Sequence, residues 1–320
     1  MTLTRIKQNN FLVLGRAGLD LYADPPGTEM ETAKQFSSAL GGSAANIAAG
    51  IARLGGRASL VSAISNDAVG RYITNQLNHY GIGSEYVDVV GGEARTSLAV
   101  VESRATNCQS VIYRNGAADF QITENQVRKI SFDNFGALIV TGTCLATEPS
   151  RNATFVAIEL ARRAGLTLIL DVDYRPYSWI SAREASDAYS RAASLCDIVI
   201  GNDEEFAVMT GGGDGPARAQ ELAATTAKIV VYKMGEKGSI TYCNDVIFKT
   251  EIFSVIALKP TGAGDSFMAA FVSGLASDAD LQTCVRRGSA AAAIVVTKVG
   301  CAPAMPNPAE LEHFILNHSS

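Results

Sequence analysis

Thr261-Gly262-Ala263-Gly264-Asp265, followed at once by the apolar run Ser266 to Leu275, brings together the parts of an anion site and a base. Glycines at 262 and 264 let backbone N–H groups turn toward an anion, and a helix starting here adds the positive end of its dipole to the same spot. Asp265 is expected as a carboxylate that accepts the proton of a substrate hydroxyl. The amides of Gly262, Ala263 and Gly264 would meanwhile stabilise charge on a phosphoryl group in transfer. That is the layout of a kinase. A plainer alternative stands beside it, because Gly and Asp are also ordinary helix-start residues. Phe267, Ala270, Phe271, Gly274 and Leu275 form one apolar face, which predicts a real helix and leaves Asp265 off that face, open to a cleft.

Gly41-Gly42-Ser43-Ala44-Ala45-Asn46 opens a second predicted helix. The paired glycines give a bend whose backbone can sit against a ligand, and Asn46 offers a donor and acceptors to a polyol. The alternative is a plain Gly-Gly turn. Asp20 follows the first predicted strand, and ligands of α/β sheets bind outside the carboxyl ends of strands, so its carboxylate can accept from two sugar hydroxyls. A surface turn aspartate reads the same way. Asn202 and Glu205, three apart just past a strand, fit two roles equally: holding magnesium through water, or capping a helix. Lys233-Met234-Gly235-Glu236-Lys237-Gly238 ends a strand, as a tight hairpin or, less safely, as a nucleotide cradle in which Lys233, Gly235 and Gly238 approach phosphates. Arg114 and Arg175 carry guanidinium forks that match carboxylates. If both point into the cleft the substrate bears an acid group as well as hydroxyls; if not, they are surface salt bridges.

The composition narrows the function classes. With 27 basic and 32 acidic residues, a net charge of −5 and no Lys/Arg-rich run, a nucleic-acid surface has little support and a small-molecule partner is expected. The six cysteines are widely spaced without a CxxC pair, so neither a disulfide framework nor a zinc site is indicated. The N-terminus has no signal-peptide core and no apolar run approaches the ~20 residues of a membrane span, which reads as cytoplasmic with no membrane partner. Gly15 and Gly18 lack the third glycine of a dinucleotide fingerprint, and no Gly-Lys dipeptide marks a Walker A loop.

These residues need a frame. Short β-branched or apolar runs at 11–15, 58–64, 137–141, 166–171, 197–200 and 228–233 alternate with helical patterns at 44–53, 68–80, 149–164, 181–195, 203–209 and 216–226. That order predicts an α/β fold, doubly wound around a mostly parallel sheet, in one domain over 1–320. Segments 16–38 and 93–118 break the alternation; within the second, 96–102 and 109–114 read as a strand pair with no helix between. Both fit a small sheet over the main one. The part from 264 to 318 reads as helical, and its Ala290–Ala293 stretch would allow close approach of a ligand or neighbouring element.

Taken together, Gly41-Gly42…Asn46, Asn202…Glu205 and Gly262-Ala263-Gly264-Asp265, in this order and spacing, resemble the ribokinase-like carbohydrate kinases of the PfkB family over about residues 10–306. The resemblance implies a three-layer α/β/α fold with a β-lid made from two separate segments, ATP as phosphoryl donor, and magnesium. It implies Asp265 as base, Gly262 to Gly264 as anion hole, and Asp20, Gly41, Gly42 and Asn46 as sugar contacts. Asn202 and Glu205 match the magnesium-positioning motif, and Gly235 with Gly238 the turn lining the nucleotide. Many relatives carry Asp-Thr where this chain has Lys259-Pro260, which puts a monovalent-cation loop in doubt. Lys259-Pro260, the run from Gly15 to Tyr22, Thr141-Gly142-Thr143 and Asp171-Val172-Asp173-Tyr174-Arg175-Pro176 look like the branch that phosphorylates 5-dehydro-2-deoxygluconate. Arg114 and Arg175 also resemble the carboxylate-reading arginines of 2-keto-3-deoxygluconate kinases, the rival branch; fructokinase- and ribokinase-type activities lie further off. A sugar-sensing binding protein on the same fold would have lost the base or anion hole, and both are present. Open strand edges on a β-lid can pair, which leaves a homodimer through the lid open.

Overall fold

Consecutive side chains of a strand point to opposite faces of its sheet, and in the central strands of this chain both sets are apolar. Leu12, Leu14, Leu138, Val140, Leu168, Leu170, Val199 and Val230 enter one core, while Phe11, Val13, Ile139, Ile169, Ile198, Ile200, Ile229 and Val231 enter another. A sheet that is apolar on both faces has to be covered on both, and each aliphatic side chain buried this way contributes about 1.5–3 kcal/mol. Three layers follow.

The computed structural model describes residues 3–104, 106–244 and 246–318. Its strands are β1 (Asn10–Leu14), β2 (Gly18–Asp24), β3 (Gln35–Gly41), β4 (Arg57–Ser65), β5 (Gly83–Val90), β6 (Leu98–Val101), β7 (Ser110–Tyr113), β8 (Ala137–Thr141), β9 (Thr167–Asp171), β10 (Ile198–Asn202), β11 (Ile229–Lys233), β12 (Ser239–Cys243) and β13 (Val246–Thr250). The large sheet runs β13-β12-β11-β10-β9-β8-β1-β4-β5, parallel from β11 to β5 and antiparallel at β11-β12-β13. Strand order reverses beside β1, and the carboxyl ends of β9, β10 and β11 deliver Asp171, Asn202 and Lys233 to one rim. A smaller sheet, β3-β2-β6-β7, is drawn from the segments 16–38 and 93–118 with Ala39, Leu40 and Gly41 added at the end of β3.

The helices are α1 (Ser43–Arg53), α2 (Ala68–His79), the single turn α3 (Glu124–Val127), α4 (Ser150–Arg163), α5 (Ala182–Ala193), α6 (Asp203–Met209), α7 (Gly215–Thr225), α8 (Ala263–Ala276), α9 (Leu281–Val296) and α10 (Pro308–Asn317). Helices α4 to α7 pack into the first core, and α1, α2, α8 and the start of α9 into the second. No helix among the described residues is long and apolar enough to cross a membrane. All six cysteines are free thiols.

Two expectations change. Helix α8 was expected to show one apolar face, but every residue from Ser266 to Gly274 is buried. It lies between α1 and α9, and α9 comes close enough that a Cβ on Gly288 would sit 2.8 Å from the Phe267 ring. The alanine-rich stretch of α9 serves both readings: Ala290 and Ala291 pack in a third apolar cluster, while Ala292 and Ala293 face a cavity. Strands β5 and β13 were not anticipated, and β12 only as the second arm of the hairpin read at 233–238. β5 is an edge strand carrying Glu85 and Asp88, and the short β12 and β13 form a hairpin rather than a βαβ unit, so neither shows the buried apolar run that marks the inner strands.

Candidate active site

A cavity of about 1090 Å³ lies between the rim of the large sheet and the small sheet, which contributes Asp20, Tyr22, Ala99, Val101, Ser110 and Ile112 to its wall. Two helices point their first turns into it, α1 from Gly42 and α8 from Gly262, and neither start has a side-chain cap. The first amides of α8 are therefore left for something else, and the dipole favours an anion there. Gly262 has φ +84°, and a Cβ there would lie 2.7 Å from the Cys301 sulfur, so a side chain would push the loop out of shape. Lys233 Nζ comes alongside, 3.4 Å from where a Cβ on Gly264 would be.

Asp265 sits in the first turn of α8 and accepts a hydrogen bond from Asn46 Nδ2 at 2.8 Å. Burial, with Asp173 beside it, pushes its pKa up to about 7 against the pull of Asn46, Arg175 and Lys233. That corrects the expectation of a fixed carboxylate: near neutral pH this acid both holds and releases a proton. Asn46 Oδ1 is buried with no partner, an acceptor facing a place where a ligand hydroxyl would satisfy it. Asp173, at φ +43°, accepts from Ser43 Oγ and pairs with Arg175 at 2.7 Å. Burial raises its pKa, but Arg175, Ser43, Arg114 and Arg16 outweigh that and hold it below the usual carboxylate range. Burial raises the pKa values of Asp171 and Glu205, with Lys233 pulling both down. Four acids thus crowd one end of the cavity around Lys233 and the start of α8.

The opposite end is built of arginine–aspartate pairs. Asp20 lies within β2 of the small sheet, not past the end of a large-sheet strand as its sequence position suggested. It is buried, accepts from Tyr22 Oη at 3.1 Å, and has Arg16 Nη2 at 3.5 Å. Gly41 stands behind it, where a Cβ would overlap Asp20 Oδ1 at 1.9 Å, so Gly41 makes room for the carboxylate and is not a wall of the cavity itself. Arg114 does line the cavity, but its Nε donates to Asp119 at 2.9 Å, its Nη2 reaches the same oxygen, its Nη1 donates to Thr143 O, and its plane covers the Phe120 ring. It enters the site already committed. Arg175 is half exposed and also donates to Tyr174 O.

Asn202 and Glu205 resolve toward the capping pair. Asn202 Oδ1 accepts from the Glu205 amide at 2.9 Å and Glu205 Oε2 from the Asn202 amide at 2.7 Å, while both side chains still line the cavity. Gly235 and Gly238 form the turn joining β11 to β12, so the hairpin is real, and both also reach the cavity wall. Arg16, Asp171, Asp173, Tyr22 and Cys301 have no role of their own assigned from the sequence, yet all line the cavity. Arg16, Asp171 and Asp173 had one signal, a place at or just after a strand's carboxyl end, which does not reveal burial; Tyr22 and Cys301 had none.

Residues 8–308 match the pfkB family of carbohydrate kinases. A 5-dehydro-2-deoxygluconokinase of Photobacterium profundum is 42% identical over 95% of this chain and 94% of its own length. One from Geobacillus kaustophilus is 38% identical over 98% of this chain and 95% of its own. Among solved structures, a putative ribokinase II of E. coli in complex with ATP and Mg²⁺ superposes with a TM-score of 0.87 at 20% identity, covering 97% of this chain and 99% of that one. With its ribokinase-like three-layer fold and a match over nearly its full length, the chain belongs to the pfkB family of carbohydrate kinases.

Proposed function

We propose that this chain, acting as one kinase domain, uses ATP and magnesium to phosphorylate the terminal primary hydroxyl of 5-dehydro-2-deoxy-D-gluconate. The observation that carries the substrate is the near full-length identity of 42% to a relative bearing that activity in its name. The chemistry rests on Asp265, a half-buried acid with a pKa of about 7 at the open start of α8.

Asp265 takes the proton of the attacking hydroxyl, and Asn46 keeps its carboxyl in place through the bond to Oδ2. The unpartnered Asn46 Oδ1 and the carboxylate of Asp20 accept from the sugar's other hydroxyls. The amides of Gly262, Ala263 and Gly264, with Lys233, face the phosphoryl group and stabilise its charge. Gly235 and Gly238 shape the nucleotide wall. No group of three or more His, Cys, Asp or Glu gathers as a metal site among the described residues, but Asp171 and Glu205 line the cavity with oxygen donors of the hard type magnesium takes, which suits an ion held mainly through water and substrate phosphates; Asn202 contributes by fixing Glu205. Magnesium, when bound, neutralises phosphate charge. Arg16 and Arg114 give the other end two guanidinium groups, Arg175 adds a third beside Asp173 at the acid end, and a sugar acid suits them better than a neutral sugar. Arg16 is held by longer contacts, Nε donating to Ser97 Oγ at 3.1 Å and Nη2 standing 3.5 Å from Asp20.

The donor ATP supports a cytoplasmic place of work. Exposed Phe36 on β3, with Val111 and Tyr113 on β7, supports pairing of two small sheets in a homodimer, which light scattering at a monomer mass would rule out. The substrate is tested by ADP release from a panel of 5-dehydro-2-deoxygluconate, 2-keto-3-deoxygluconate, fructose and ribose. The first is expected to give the highest kcat/KM. A preference for 2-keto-3-deoxygluconate would move the assignment within the sugar acids, and a preference for fructose or ribose would remove the arginines from substrate binding.

A further inference from the structure

Lys259 is 1% exposed, among the largest fully buried side chains of the protein, and the chemistry above does not use it. Its ammonium donates to Thr261 O at 2.6 Å and to Val295 O at 3.4 Å. Both partners are backbone carbonyls: one from the loop that becomes the anion cradle, the other from the last turn of α9, where the helix dipole is negative and Val295 O also accepts from the Lys298 amide at 3.2 Å. The backbone is tied to the same helix end, since the amides of Leu258 and Lys259 both donate to Val296 O. Pro260 follows and holds Lys259 away from helical conformation, which stiffens the approach to Thr261.

The bond to Thr261 O has a directional consequence. In a planar trans peptide the C=O and the next N–H point opposite ways. Drawing Thr261 O down onto the buried ammonium therefore turns the Gly262 N–H away from Lys259, and Gly262 forms part of the cavity wall. Burial lowers the pKa of Lys259 while Cys301, Asp265 and Asp20 pull it back up, and the ammonium form puts positive charge behind the loop, in a place sheltered from water where charge acts strongly.

We propose that Lys259 is a positioning residue for phosphoryl transfer: a tethered cation that sets the orientation of the anion cradle and supplies from within the chain the charge that a free monovalent ion would otherwise have to bring. The proposal rests on the kinase reading of the site. It implies that a truncated side chain leaves a carbonyl-lined gap fitting a small monovalent cation.

The test uses the full chain with Lys259→Met, which keeps the length and removes the charge, and Lys259→Ala, which opens the gap. Lys259→Met is expected to lower kcat by ~10²-fold, the scale of losing one preorganised donor, with the KM for the sugar acid changed less than ~3-fold. Calorimetric affinity for a non-hydrolysable ATP analogue, measured without any sugar, is expected to fall ~10-fold in the same variant. Potassium, ammonium or methylammonium should restore much of the lost kcat of Lys259→Ala, while tetramethylammonium at equal ionic strength should not; a merely structural lysine gives no such size-selective rescue. Wild-type rates should be equal in potassium, sodium and tetramethylammonium salts at fixed ionic strength, a measurement that stands even if the variants fail to fold. A wild type that needs an added small cation, a Lys259→Met with near wild-type kcat and analogue affinity, or rescue indifferent to cation size would each overturn the proposal. A wild type that phosphorylates none of the panel sugars would sink the kinase reading instead, and the analogue titration would still report on Lys259.

Discussion

Helices α6 and α8 both start at the cavity, one from Asn202 and the other from Gly262, and their first turns are finished in opposite ways. At α6 the sequence closes its own end: Asn202 and Glu205 satisfy each other's amides in a reciprocal capping box. At α8 no side chain caps the start, and Gly262 takes a left-handed conformation in its place. Side chains also cap α2, α3, α5, α7, α9 and α10, and at α4 Glu148 Oε2 accepts from the Asn152 amide at 3.0 Å, so open starts are the exception; besides α8 one occurs at α1, which also faces the cavity. A glycine in place of a good side-chain cap weakens a helix by about a few tenths of a kcal/mol. The difference teaches that α8 gives up local stability to keep its amides for a ligand, whereas α6 is a stable post that holds a carboxylate at the rim.

The strongest way to break this contrast is Asp265→Asn, which keeps size and a hydrogen-bonding oxygen for Asn46 while removing the base. A fall in kcat of ~10²–10⁴ is expected, with sugar binding retained by calorimetry. A near wild-type rate would take the chemistry away from α8. Next comes Gly262→Ala. The left-handed φ of +84° and the Cys301 sulfur 2.7 Å from the new Cβ force the cradle open, so kcat is expected to fall by ~10²-fold while the KM for the sugar acid moves little. If KM rose instead with kcat intact, the start of α8 would be reading sugar rather than phosphate.

A pH profile sharpens the same end. Asp265 has its pKa raised by burial and by Asp173 to about 7. The base works only when deprotonated, so kcat/KM should be flat above pH ~8 and drop ~10-fold per unit below an apparent pKa near 7. The profile reports free enzyme, and an acid limb near 4 would mean that the carboxyl is not shielded from water.

The frame of the protein was legible because its inner strands are continuous apolar runs, and runs such as 137–141 mark a strand buried on both faces. The Gly-Ala-Gly-Asp start of α8 was legible because glycine, helix start and acid leave a local trace. Less legible was anything decided by partners far along the chain. Arg114 reads as a free guanidinium until Asp119, Thr143 and Phe120 close around it. Asp20 reads as the end of one strand and is the middle of another, because the chain leaves the large sheet at Gly15 and enters the small one at Gly18. Lys259 differs from a surface lysine only through the carbonyls of Thr261 and Val295, and the latter is 36 residues away. Glu205 carried both of its roles in the sequence, and the fold shows that they are compatible because each uses a different part of the residue.

That compatibility can be tested by separating charge from cap. Glu205→Gln keeps an oxygen for the Asn202 amide but removes the negative charge beside Lys233, so the helix start should survive. Activity at limiting magnesium is expected to fall ~10-fold and to recover in part when the ion is in excess, as for loss of one carboxylate from a water-rich site. No dependence on magnesium concentration would confine Glu205 to its structural part.

Asn202→Ala is the complementary change and the smallest expected effect. It removes the oxygen that accepts from the Glu205 amide at 2.9 Å and leaves the Glu205 carboxylate in the chain. A lost cap of this type lowers stability by ~1 kcal/mol, which for a domain of this size lowers Tm by about 2–4 °C. With the large sheet and Lys233 still holding the rim, kcat should stay within ~3-fold of wild type. If Tm were unchanged and kcat fell by ~100-fold, the Asn202 side chain would belong to the chemistry, and α6 would have to be read, like α8, as a helix start that gives up its closure to a ligand.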